Sequence, residues 1–179
     1  MKSLLACTGL LIAAATLSAQ TPAPKPPPKS PAATASATVA GKAITITYSS
    51  PGVKGRAGKL FTKDGQIGHD PTYPVWRAGA NAATKLHTEG NLSLGSLSVP
   101  AGDYTLYADI SDPDNWVLVV STQTGQWGTV YDKTKDLGRV PMTMTKPAEL
   151  IENLKYSLGN GKLTLAWEDH IATVAYSAR

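Results

Sequence analysis

Cysteine is almost missing from this chain: among 179 residues it occurs once, at Cys7. That residue lies inside an apolar run from Leu4 to Leu17, which follows Lys2 and precedes the small residues Ser18-Ala19-Gln20. This is the pattern of a secretory signal cleaved near Ala19 or Gln20, so residues 1–20 are expected to be removed on export to the periplasm or the extracellular space. The mature chain then has no thiol, which excludes a disulfide framework, a cysteine nucleophile and a thiolate-bound metal. The run is interrupted by Thr8 and Gly9 and falls short of the ~20 residues that a spanning helix requires, so no membrane span is expected after cleavage. Leu4-Leu5-Ala6-Cys7 resembles a lipidation box, yet the apolar run continues past Cys7 where such a box would close it.

Other absences narrow the chemistry. Three of the lysines behind the formal net charge of +4, at positions 2, 25 and 29, precede the first acidic residue, Asp64, which leaves the remainder at +1. No arginine cluster interleaved with aromatics is present, so nucleic acid is not an expected partner. There is no Gly-x-Ser-x-Gly elbow, and Gly52, Gly55 and Gly58 lead into no helix pattern, which removes a phosphate-cradling loop. Helix signals are nearly lacking. The one segment that could start a helix, Pro147-Ala148-Glu149-Leu150-Ile151-Glu152, runs into a strand pattern.

What is present is alternation. Ile44, Ile46 and Tyr48 alternate with threonines, and Tyr104, Leu106 and Ala108 alternate with Thr105, Tyr107 and Asp109. Trp116 to Val120 reads as a strand buried on both faces. Three further strands are expected: one through Val140, Met142 and Met144, one through Leu150, Leu154, Tyr156 and Leu158, and one through Leu163, Leu165 and Trp167. Gly159-Asn160-Gly161 is a strong hairpin signal, and Pro100-Ala101-Gly102-Asp103 and Gly90-Asn91 mark further turns. The pattern predicts an all-β fold, an antiparallel sandwich of about eight or nine strands, with a closed barrel as the alternative architecture. Six of the thirteen prolines fall between Thr21 and Ser36. Residues 21–37 are therefore expected to form an extended spacer, and residues 38–179 a single domain.

One stretch concentrates unusual side chains: Val75-Trp76-Arg77-Ala78-Gly79-Ala80-Asn81 brings an indole, a guanidinium and an amide together between turns and a strand. From about Ile44 to Trp167 the chain resembles the bacterial family catalogued as domain-of-unknown-function family 2911. The resemblance rests on Gly55-Arg56, the Val75 to Thr84 stretch, Pro100 to Tyr107, Trp116, Gln126-Trp127-Gly128 with Tyr131, and Asp136 ahead of Arg139-Val140. It departs at Ala82 and Ala83, where the family often has an acidic residue after Gly-Ala-Asn. The resemblance implies a secreted β-rich domain and supplies no activity.

The histidines and carboxylates do not assemble into a catalytic set in sequence. His69-Asp70 sits in a Gly/Pro-rich loop. His87 and Glu89, like Glu168 and His170, are two residues apart and would share a strand face, but no third ligand is visible beside either pair, so neither a metal nor another cofactor is expected. Asp109, Asp112, Asp114, Asp132 and Asp136 read mainly as turn residues. Trp76, Trp116, Trp127 and Trp167 with seven tyrosines outnumber a single phenylalanine. Rings with polar tips suit sugar stacking as well as cores. The reading that follows is a non-catalytic binding module for an envelope or extracellular ligand such as a glycan, with Trp76, Arg77, Asn81, Trp127 and Tyr131 as its ligand-binding residues. A hydrolase whose site forms only in the fold, and a structural or assembly domain, are the alternatives. The mature protein recovered from its producing cell should begin near Gln20 or Thr21 in an intact-mass measurement; a diacylated species starting at Cys7 would overturn the signal assignment.

Overall fold

The computed structural model describes residues 29–179; the expected signal sequence, Cys7 and most of the expected spacer lie outside them. Thirteen strands run in chain order: β1 (Ala32–Val39), β2 (Lys42–Ser49), β3 (Val75–Trp76), β4 (Thr84–Thr88), β5 (Leu92–Leu94), β6 (Leu97–Val99), β7 (Gly102–Asp109), β8 (Val117–Ser121), β9 (Asp136–Pro141), β10 (Thr143–Thr145), β11 (Ile151–Gly159), β12 (Lys162–Glu168) and β13 (His170–Ala178). They form two antiparallel sheets packed face to face. One runs β1-β2-β4-β7-β8-β9 with β3 added against β7, and the other β11-β12-β13-β5-β6 with β10 against β13. The sheets do not close into a barrel, so the sandwich expectation holds.

Alternation decides what each face does. Ile44, Ile46, Leu86, Tyr104, Leu106, Leu118 and Val120 point inward from the first sheet, and Leu154, Tyr156, Leu163, Leu165, Trp167, Ala172 and Val174 meet them from the second. Strand β8 is buried on both faces as its composition predicts, because Val119 packs outward against Val75 and Tyr107 in a separate apolar cluster. The Gly159-Asn160-Gly161 turn joins β11 to β12 with Asn160 and Gly161 both at positive φ, the geometry a two-residue hairpin of this twist demands. Gly90-Asn91 and Pro100-Ala101 serve a different purpose: each carries the chain from one sheet to the other.

Several expectations need correction. The strand read through Val140, Met142 and Met144 is two strands. The chain leaves the first sheet after Pro141 and joins the second at Thr143, and the Met142 N–H between them donates to Trp116 O. No helix forms at 147–152; Ala148 and Glu149 bend, and β11 starts at Ile151. The strands exceed the eight or nine expected because β3, β5, β6 and β10 span only two or three residues each, too short for alternation to register. The spacer also ends sooner than composition suggests. Residues 32–39 pair in full register with β2, from Ala32 opposite Ser49 to Val39 opposite Lys42. Alanine and threonine suffice there, because an edge strand draws its hydrogen bonds from the neighbour and needs few large side chains.

Between β2 and β3 the chain makes a long excursion of turns through residues 50–74, anchored by the buried side chains of Val53, Leu60 and Ile67. Limited proteolysis of the mature protein is expected to trim the spacer to about Ser30 and then stop. Trimming that continued to Thr38 while the core stayed folded would show that β1 is not held as described.

Candidate functional site

Strand β3 is two residues long and pairs with the end of β7, Val75 opposite Asp109 and Trp76 opposite Ala108. Alternation sends Trp76 inward, where it is 2% exposed. It stacks on Trp167 of the opposite sheet at 5.8 Å and meets Trp116 and Phe61 edge-on at 6.1 and 5.6 Å. The chain then turns sharply, with Ala78 and Asn81 both in the left-handed region at φ 48° and 62°. Two hydroxyls from separate strands hold the turn: Tyr156 Oη and Thr84 Oγ1 each donate to Ala78 O at 3.1 Å. Gly79 leaves room for this arrangement, since a Cβ there would lie 2.9 Å from Thr84 Oγ1.

Arg77 follows Trp76 and so points the other way. Its guanidinium donates to Asp70 Oδ2 at 2.5 Å and to Asn81 O at 3.3 Å, with the Arg77 and Asp70 side chains only 12% and 20% exposed. Its Nε is buried without a partner. Gly128 presses on the aliphatic part: a Cβ at that position would lie 2.3 Å from Arg77 Cδ and 2.6 Å from Asn81 O. Its shortest contact is with Asp70, which sits in the Gly/Pro-rich loop. Asn81 is exposed at the rim, with Nδ2 3.4 Å from Ser49 Oγ.

Trp76, Arg77 and Asn81 together line a cleft of about 580 Å³, bounded also by the excursion at Gly52, Lys54, Arg56, Gln66 and Ile67 and by Trp167. Its ionisable lining is Lys29, Lys54, Arg56 and Arg77 against the single carboxylate of Asp70. Arg56 is braced at its position by donating to Gly52 O at 2.6 Å and Val53 O at 2.9 Å. Lys54 Nζ donates to Lys29 O at 3.0 Å, which draws the last spacer lysine to the cleft. Sequence reasoning missed Lys29, Lys54 and Arg56 as a group because the residues are scattered through spacer and loop and converge only when the excursion folds onto β3.

Trp127 and Tyr131, grouped with these residues by the sequence reading, do not line the cleft. They belong to the 122–135 segment that covers the outer face of the first sheet. Gln126 Nε2 donates to Tyr107 Oη at 2.8 Å and to Thr105 Oγ1 at 3.2 Å, and Tyr107 Oη donates to Val130 O at 2.8 Å. Tyr131 donates to Asp136 at 2.8 Å and accepts from Arg139 at 2.7 Å, while Arg139 also bridges Asp136 and Asp109. Burial and then the Asp136 carboxylate push the Tyr131 hydroxyl up to about 12, against the opposing effect of Arg139. Burial also works to raise the Asp109 carboxyl, but the Ser111 and Arg139 hydrogen bonds outweigh it and hold Asp109 below the usual range. Trp127 stands 56% exposed on this covering segment, and its backbone bridges to Ala82 at the end of the Arg77 turn.

The histidines disperse. His69 Nδ1 meets Gly65 O at 2.6 Å and does not line the cleft with Asp70 and Arg77. His87 pairs with Asp103 at 2.8 Å rather than with Glu89, whose Oε2 accepts from Ala43 N. Asp112 and Asp132 serve turns as expected: Asp112 accepts from Asp114 N and Asn115 Nδ2, and Asp132 from Thr134 N and Oγ1. Glu168 and His170 line a second pocket, of about 350 Å³.

A two-sheet antiparallel sandwich with a basic cleft beside a short inserted strand defines the class of domain. The chain belongs to the family described as "Protein of unknown function (DUF2911)", whose model matches residues 30–175. No curated protein and no solved structure matches it.

Two substitutions test whether Arg77 is held as the geometry implies. Arg77→Ala leaves Asp70 without its partner and is expected to cost about 3 kcal/mol in a denaturant series. Gly128→Ala forces Arg77 or the Asn81 backbone to move and should cost about 1–3 kcal/mol, whereas Gly159→Ala, with open space around it, serves as the neutral control. Parent-like stability for Arg77→Ala would mean that the pair contributes nothing to the fold.

Proposed function

We propose that this is an exported, non-catalytic binding module, and that the cleft beside Arg77 takes an anionic ligand of the envelope or extracellular space, an acidic glycan in particular. The observation that carries the reading is the charge of the lining: four basic side chains and one acidic one face a cleft of about 580 Å³. Such an excess in a low-dielectric concavity attracts carboxylates and raises local ligand concentration. Lys29 and Lys54 offer ammonium groups to carboxylates, and the amides of Gln66 and Asn81 in the same lining supply donors and acceptors for hydroxyls. Trp76 and Trp167 contribute wall rather than a stacking platform, since their faces are spent on each other and on the core. Recognition in this cleft therefore runs through charge and hydrogen bonding, and an acidic sugar fits it better than a neutral one.

The mature protein should bind oligogalacturonate in preference to neutral oligosaccharides of the same length, and binding should weaken as salt rises. Lys54→Glu, at an exposed position, should reduce affinity by roughly tenfold or more, about 1.4 kcal/mol per decade, without changing the melting temperature. Equal binding of neutral and acidic oligosaccharides, or none of either, would refute the reading.

A further inference from the structure

The hairpin between β12 and β13 is unusual for what occupies it. Trp167 pairs directly with His170, so the turn consists of Glu168 and Asp169 alone, with Glu168 at φ 56°. A glutamate at a left-handed hairpin position is disfavoured relative to glycine or asparagine. This one is also 2% exposed, tucked beneath the excursion so that Gly58 N–H donates to its Oε1 at 2.5 Å. That bond occupies one carboxylate oxygen, and the Glu168 side chain lines the 350 Å³ pocket together with Asp169 and His170.

Three donor residues converge at this turn: one ligand atom from each of Glu168, Asp169 and His170 lies within 4.8 Å of the other two. A cation bonded to carboxylate oxygen and imidazole nitrogen at roughly 2.0–2.2 Å holds its donors no more than about 4.4 Å apart, so small side-chain rotations suffice to close the set. The His170 Nδ1 atom is buried and makes no hydrogen bond of acceptable geometry, although Asp169 Oδ1 lies 2.6 Å away. A buried carboxylate beside a second carboxylate and an unsatisfied imidazole nitrogen is an arrangement that one divalent cation would complete.

The geometry points to a divalent transition-metal site of the zinc type at this hairpin, with Glu168, Asp169 and His170 as its three protein ligands and its open positions facing the pocket. The third donor that the sequence reading could not find beside Glu168 and His170 is the residue between them, folded back by the two-residue turn. Mixed imidazole and carboxylate donors favour zinc and its neighbours over magnesium or calcium, which take oxygen alone. The supports around the ligands are those that metal sites use. Gly58 N–H orients the Glu168 carboxylate, and the His170 ring is clamped by Trp116, stacked at 4.9 Å, and by Phe61 at 4.6 Å. Lys63, Tyr73 and Ser111 line the same pocket, within reach of a further ligand at the open positions.

The test is calorimetric titration of the metal-stripped mature protein with zinc at neutral pH, alongside melting curves with and without the ion. One equivalent should bind and raise the melting temperature. Asp169→Asn, a change at a side chain 54% exposed, should fold as the parent and weaken zinc binding by about tenfold or more. His170→Asn should also weaken zinc binding, though it loses the ring packing on Trp116 and Phe61 and so melts lower, and His87→Ala, on the far histidine–aspartate pair, should leave binding unchanged. Absence of a one-equivalent heat in the parent, or full retention of it in Asp169→Asn, would overturn the assignment. Loss of it in His87→Ala would place the ion at the His87–Asp103 pair instead and equally defeat it.

Discussion

The stacking of Trp76 on Trp167 is the contact on which the rest of this molecule depends. It joins the first sheet to the second through the shortest strand in the fold, two residues long, which could not hold its place by ladder hydrogen bonds alone. Indole burial supplies what the ladder cannot, since a ring of this size contributes several kcal/mol when withdrawn from water. Once Trp76 is committed inward, pleating leaves Arg77 no choice but to point outward. There its charge must be met, and Asp70 of the excursion meets it. The excursion is thereby tied to the sandwich by an ion pair at the strand's end as well as by its own apolar side chains in the core and by backbone hydrogen bonds to β11 and β12.

The same aromatic cluster separates the two cavities. Trp76 and Trp167 form part of the wall of the basic cleft, while Phe61 and His170, in contact with those rings or with Trp116, line the smaller pocket. Close-packed rings deform little, so both concavities have a rigid back and their polar groups are presented in fixed positions. Their chemistry diverges accordingly: guanidinium and ammonium groups over the cleft, carboxylates and an imidazole at the pocket. Loops supply most of the polar residues in both cases, with the sandwich serving as the frame that aims them.

Covering the outer face of the first sheet has a comparable logic. Tyr107 and Val119 point away from the main core and would be exposed in a two-sheet sandwich, but the 122–135 segment lies over them. Gln126 satisfies the Tyr107 hydroxyl, and the Arg139, Asp136, Asp109 and Tyr131 network closes the edge. Most of the residues that carry the family resemblance on this segment therefore have a packing role. Gly128 is the link to the cleft, because its missing side chain is the space that Arg77 occupies.

What the sequence determined by itself was everything that period and turn chemistry encode: the all-β class, the inward faces of β2, β7, β8 and β12, the β11–β12 hairpin, and the singling out of the Trp76-Arg77 stretch. These follow from interactions between residues near one another in the chain, which leave a local signature. Strands of two or three residues left none, nor did β1, whose small residues are ordered by the neighbour they pair with. Only tertiary structure decided that Asp70 would neutralise Arg77, that Lys29, Lys54 and Arg56 would face one cleft, that Trp127 and Tyr131 would stand elsewhere, and that Glu168 would be buried against Gly58 N–H. All but the placing of Trp127 and Tyr131, which the 122–135 segment sets, depend on where the 50–74 excursion comes to rest. That position is set by the summed burial of Val53, Leu60 and Ile67 in the main core, a property that no local window of sequence contains.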